Sequence, residues 1–138
     1  MNKYNVTFKG YRRNCNAATL PDYSGIYMIY RCRYNQDTDT VTLQELFYIG
    51  QSKNINHEVN YHVRHDEFLK EAKDGEEICY AYAKIPEASL DIVENALIFS
   101  QKPRLNAKLK DNFNHPASEF HIDGNCALLN YTDFTIKS

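Results

Sequence analysis

The sequence predicts an α+β fold: a small central antiparallel sheet of about three strands, flanked by helices, with extra strands at the C-terminus. Three observations carry this. Two β-patterned runs, residues 25–34 and 41–50, follow one another with only a polar turn between them, and strands joined that closely pair antiparallel. A third β run, 77–85, lies between two helical patterns at 55–72 and 90–101, so helices cover the sheet rather than alternate regularly with it. The 138 residues, 43% of them hydrophobic, are enough to close one core and suit one domain.

Each element follows from its residues. Residues 1–24 show one weak alternation, "YNVTF", and end in "LPDYSG", so a short strand or lead-in is expected before the first Pro and Gly punctuation. "GIYMIYRCRY" is rich in β-branched and aromatic types, "NQDTDT" forms the turn, and "VTLQELFYIG" is the partner strand of a hairpin. Ser52 or Asn54 caps a helix running from Ile55 to about Ala72, where "KDG" stops it. "EICYAYAKI" alternates as a strand up to Pro86. Ser89 then caps "LDIVENALIFSQ", which must end before Pro103 because proline lacks an N–H and restricts the residue before it. "KPRLNAKLKDN" is a basic connector with room for a helical turn, and "EFHIDG" and "ALLNYTDFTI" read as two short strands around an Asp-Gly-Asn turn. The domain core is expected at about residues 24–112, with a C-terminal extension over 113–138.

A formal net charge of −2 excludes a globally basic surface, so any nucleic-acid partner must be met by a local patch. Cys15, Cys32, Cys79 and Cys126 form no CxxC pair, and the N-terminus has no apolar signal-peptide region, which points to a cytoplasmic protein with reduced thiols. No apolar run approaches the roughly 20 residues of a membrane span. Eleven tyrosines without a tryptophan suit half-buried positions whose hydroxyls reach water.

Two helical patterns carry side chains with chemistry. At about 100° per residue from Leu90, the residues Val93, Leu97 and Ile98 form one apolar stripe and Glu94 falls within it, so a carboxylate is aimed toward the core. Such an acid must be paired, protonated or bound to a metal. On the earlier helix Val59 and Val63 share one side, Glu58, His62 and His65 the adjoining flank, and Arg64 the opposite side. Glu58 and His62 are spaced to bite one metal, so a zinc site competes there with a merely solvated helix edge.

The tripeptides Gly25-Ile26-Tyr27 and Tyr48-Ile49-Gly50 stand in paired strands. A helix, a strand, a helix with inward Glu94, and "PRLN" follow them. In this arrangement the chain resembles the GIY-YIG nuclease superfamily over about residues 24–106. The resemblance implies hydrolysis of phosphodiester bonds in DNA, expected to be double-stranded, with one Mg²⁺ (or Mn²⁺) per site. By position, Glu94 looks like the metal-binding carboxylate and Asn106 like the family's late asparagine. Tyr27 looks like the general base, with Tyr48 hydrogen-bonding the phosphate region. His62 stands fourteen residues after Tyr48, where the family places a His or Tyr, and Lys53 falls near a lysine of some members.

One position departs from the pattern. Ten residues after the second motif's tyrosine, where the family carries a phosphate-gripping arginine, this chain has Glu58. The charge toward a polyanion is reversed there, so cleavage is expected to be impaired, unless Lys53 or Arg104 supplies the cation. The alternative is a catalytically inactive DNA-binding or regulatory module on the same scaffold. Lys102, Arg104 and Lys108 of the basic connector are candidate phosphate contacts that position a duplex without reading sequence. Double-strand cutting by one such site calls for a homo-oligomer or for sequential nicks.

Overall fold

In the computed structural model, which describes residues 1–137, the chain forms an α+β domain around a six-stranded mixed sheet curled into a half-barrel, with a few short helices. In chain order the elements are β1 (Asn2–Arg13), β2 (Gly25–Asn35), β3 (Thr40–Ser52), α1 (Ile55–Asn60), α2 (His65–Leu69), β4 (Glu77–Lys84), α3 (Leu90–Gln101), β5 (Ser118–Gly124) and β6 (Asp133–Ile136), with a 3₁₀ segment over Asn14–Thr19. The strands lie in the order β3-β2-β4-β1-β5-β6. The expected three-stranded sheet is therefore too small, although its predicted strands β2, β3 and β4 are all present and pair antiparallel.

Two segments read as peripheral enlarge the sheet. The expected short strand or lead-in is a full-length strand: Val6 and Phe8 point inward between exposed Lys3, Asn5, Thr7 and Lys9, and β1 joins β4 antiparallel and β5 parallel. The C-terminal extension belongs to the same sheet through β5 and β6. The second of these is shorter than the expected 127–136, because the chain loops beyond Gly124 before pairing.

β2 has neighbours on both sides and helices over both faces, which explains why "GIYMIYRC" reads as nearly continuous apolar sequence. On one face Ile26, Met28, Ile49, Ala81 and Ala83 meet Val93, Ala96 and Leu97 of α3. On the other, Tyr27, Ile29, Phe47, Ile78 and Tyr80 meet Ile55, Val59 and Phe68 of the first two helices. β3 is the outer strand, and the site lies along its open edge.

The single helix expected over 55–72 is broken in two. Asn54 caps α1, its side chain accepting from the His57 N–H at 3.0 Å. Asn56 and Asn60 then bind the helix to the 3₁₀ segment through the Ala17, Ala18 and Leu20 carbonyls. At the break His62 Nδ1 accepts the Arg64 backbone N–H at 2.9 Å, diverting a donor that a continuing helix needs. Val63, expected on the apolar side, is 96% exposed as a result, and Arg64 leaves the direction that the helical wheel assigned to it.

The two motif glycines are close-approach positions. A Cβ at Gly50 would fall within the Tyr27 phenol, which crosses over it from the opposite strand position, and one at Gly25 would meet the Ala83 carbonyl. Gly50→Ala is accordingly expected to displace the Tyr27 ring and destabilise the fold by about 1–3 kcal/mol, read from denaturant unfolding. A neutral effect would show that the ring has another place to go.

Candidate active site

The open edge of β3 is finished by side chains instead of a strand. Asn106 is 7% exposed, and its amide mimics a ladder residue: the Ile49 N–H donates to Oδ1 at 3.0 Å, and Nδ2 donates to the Ile49 carbonyl at 2.8 Å. The Leu105 N–H adds a bond to the Phe47 carbonyl at 2.9 Å. Farther along, buried Asn95 of α3 donates to the carbonyls of Leu109 and Asn112 at 3.2 and 2.9 Å. These two asparagines hold residues 105–112 as a wall facing the strand. Asn106 thus acts through positioning, its amide being engaged with backbone on both sides.

Between wall and strand lies a cavity of about 370 Å³ lined by Tyr48, Arg64, Glu94, Ile98, Asn106 and Lys108, together with Ala107 and Leu109. It draws on both faces of the sheet: Tyr48 packs on the α1–α2 side and α3 brings Glu94 from the other. The Tyr27, Tyr48 and His62 rings cluster beside it, with centroid separations of 6.3, 6.5 and 5.7 Å.

Tyr27 is 1% exposed and its hydroxyl donates to Glu58 Oε2 at 3.1 Å. Burial first, and then the neighbouring Glu58 carboxylate, hold its pKa well above that of an ordinary tyrosine. In that state the phenol is a hydrogen-bond donor to Glu58. Tyr48 is also raised by burial, but the Arg64 charge works the other way. His62 is lowered by burial, which outweighs the attraction of Glu58 and leaves the ring neutral near pH 7. Because Nδ1 accepts from Arg64, the ring proton belongs on Nε2, which faces Glu58 Oε2 at 3.7 Å. Glu58 therefore receives one hydroxyl and faces one imidazole N–H, and its side chain, 38% exposed, is the solvent-facing member of the trio.

Glu94 is half-buried, and burial raises its pKa. Gln51 opposes this, its Nε2 donating to Glu94 Oε1 at 3.0 Å and to Asp91 Oδ1 at 2.7 Å. Among the described residues Glu94 has no ion-pair partner, so a cation in the cavity would relieve its burial. Among those same residues no cluster of three His, Cys, Asp or Glu has metal-binding geometry, and the zinc reading of Glu58 with His62 finds no third ligand. A single carboxylate does suit Mg²⁺, which retains most of its water.

The expected cations are distributed unevenly. Lys108 lines the cavity. Arg104, offered as a substitute for the missing arginine, is tied to Glu45 at 3.0 Å and Glu71 at 2.5 Å. Lys102 takes the left-handed cap of α3 and donates to the Lys110 carbonyl, while Lys53 is exposed after β3. The second cation that lines the cavity is Arg64, which the wheel turned away. No helix is long and apolar enough to cross a membrane among the described residues. Comparison with known protein families, with curated proteins and with solved structures finds no match to this chain.

Two stability measurements check the geometry. Asn106→Ala leaves both Ile49 backbone groups without partners and should cost about 2–3 kcal/mol, much more than an exposed Asn→Ala exchange. For Glu94 the folded pKa lies above the unfolded one, so its stability contribution is complete at low pH and lost as pH rises through the folded value. Glu94→Gln should therefore be more stable than wild type at neutral pH by about 1 kcal/mol, the gap closing as pH falls toward about 4. A gap independent of pH would remove burial of the charge as its cause.

Proposed function

We propose that the protein is a Mg²⁺-dependent endonuclease of GIY-YIG type acting on DNA, with a rearranged set of charges around the cleavage site. The observation that carries this reading is that Tyr48 and Glu94, from separate elements, line one cavity at the edge of β3, with the buried Tyr27 ring 6.3 Å from that of Tyr48. Phosphodiester hydrolysis needs an activated water, stabilisation of the pentacovalent oxygens and help for the leaving 3′ oxygen. Glu94 would hold the ion, which supplies charge stabilisation for the phosphoryl oxygens and acidifies bound water. Tyr48 contributes a hydroxyl to the cavity where the phosphate would sit. Glu58, oriented by Tyr27 and facing His62, replaces Tyr27 as the solvent-accessible proton acceptor, following the usual logic of a base held by a third group. Lys108 and the neighbouring connector would supply backbone contacts to a duplex.

A second reading has its own observation: a carboxylate at position 58 repels phosphate and holds the Tyr27 proton, as in a scaffold that binds DNA without cutting it. Plasmid nicking with Mg²⁺ by wild type, Glu94→Gln and Glu58→Arg separates the two. The nuclease reading expects nicking by wild type and a loss of about 10²-fold or more in Glu94→Gln. Nicking gained only by Glu58→Arg identifies a silenced site, and DNA retention in a gel shift without nicking by any variant identifies a binding module.

A further inference from the structure

Resting on the nuclease reading, we propose that Arg64 is the phosphate-binding cation of this site, delivered by the break between α1 and α2 in place of the arginine that position 58 lacks. Its guanidinium carbon stands 5.3 Å from the Tyr48 ring centre and 5.2 Å from that of Phe68, and the residue lines the same cavity as Glu94 and Lys108. A continuous helix would have turned this side chain away. The His62 imidazole that ends α1 is also the group that captures the Arg64 N–H, so one residue both stops the helix and redirects the cation.

The guanidinium is anchored without being used up. Nη1 donates to the Leu105 carbonyl at 3.0 Å, and Nε and Nη2 donate to Glu67 at 3.2 and 2.7 Å. Of the five N–H donors an arginine carries, three are held by Glu67 and Leu105, and the rest lie on the terminal nitrogens beside the Tyr48 hydroxyl, on a side chain that is 31% exposed. Glu67 lies on the outer side, is 49% exposed, and fixes the fork in orientation. A guanidinium so held brings its charge and its remaining terminal N–H groups to phosphate oxygens with little further ordering. The Leu105 carbonyl belongs to the wall that Asn106 holds against β3, so the same strap sets the distance between cation and Tyr48. Arg104, by contrast, is paired with two carboxylates, Glu45 and Glu71, and does not line the cavity.

Wild type, Arg64→Gln and Arg64→Lys are to be compared in two assays: fluorescence anisotropy with a short labelled DNA duplex across a salt series, and plasmid nicking with Mg²⁺. Arg64→Gln should keep its circular dichroism, bind with a slope of log K against log salt shallower by about one, and lose about 10²-fold in kcat. Arg64→Lys should recover the slope while kcat stays low, since a point charge does not replace the fork. An unchanged slope in folded Arg64→Gln overturns the proposal even when wild type nicks DNA, and the nuclease reading then stands alone. Duplex binding that depends on Arg64, without nicking, supports the cation site and removes the nuclease reading. No duplex binding by wild type at low salt overturns both. Should Arg64→Gln fail to fold, undiminished kcat in Arg64→Lys overturns the assignment.

Discussion

The site depends on how the outer strand of a curled sheet ends. β3 has β2 on one side and no strand on the other, and an open edge leaves backbone groups without partners. Here Asn106 reproduces the two bonds of a ladder residue with its side-chain amide, and Leu105 adds a third. Ile49, the residue so clamped, stands between Tyr48 and Gly50. The clamp therefore fixes the second motif, the wall opposite it and, through the Leu105 carbonyl, the Arg64 fork. A continuous seventh strand would have satisfied the same edge but closed the cavity.

Crowding across β2 and β3 adds a second constraint. Tyr27 crosses over Gly50, so its ring is buried and its hydroxyl emerges only toward Glu58. Burial makes the phenol a hydrogen-bond donor, and the carboxylate becomes the group that meets solvent. In the expected arrangement Tyr27 was the base and an arginine the neighbour. With a carboxylate at 58 the exposed acceptor lies beyond the Tyr27 hydroxyl, and the nearby positive charge is Arg64, stacked over the Tyr48 ring.

Glu94 shows the cost of holding such a group. A carboxylate brought against the apolar face of α3, with an amide donor and no cation bound to it among the described residues, destabilises the fold at neutral pH. That strain is what an incoming cation would relieve. The buried amides of Asn95 and Asn106 are arranged differently: each has its donors and acceptors matched by backbone, and both serve to keep a loop rigid.

Local pattern was enough to place strands β2, β3 and β4, helix α3, the pairing of the two tripeptides and the inward turn of Glu94. Each of these follows from a period of two or 3.6 residues or from a capping residue within a few positions. It marked β5 as a short strand and β1 as a short strand or lead-in, but not their parallel pairing, which joins residues more than a hundred positions apart. Nor could periodicity find Arg64. A helical wheel assumes that the helix continues, and its end was set by a His62 side-chain bond that no spacing rule encodes. Asn95 and Gln51 looked like ordinary polar positions on their elements, because their partners lie in distant loops and strands. The sequence by itself determined which residues could meet at the edge of β3. Tertiary structure decided which of them hold backbone, which hydroxyls are buried and which cations line the cavity, because those placements depend on burial and on partners far away in the chain.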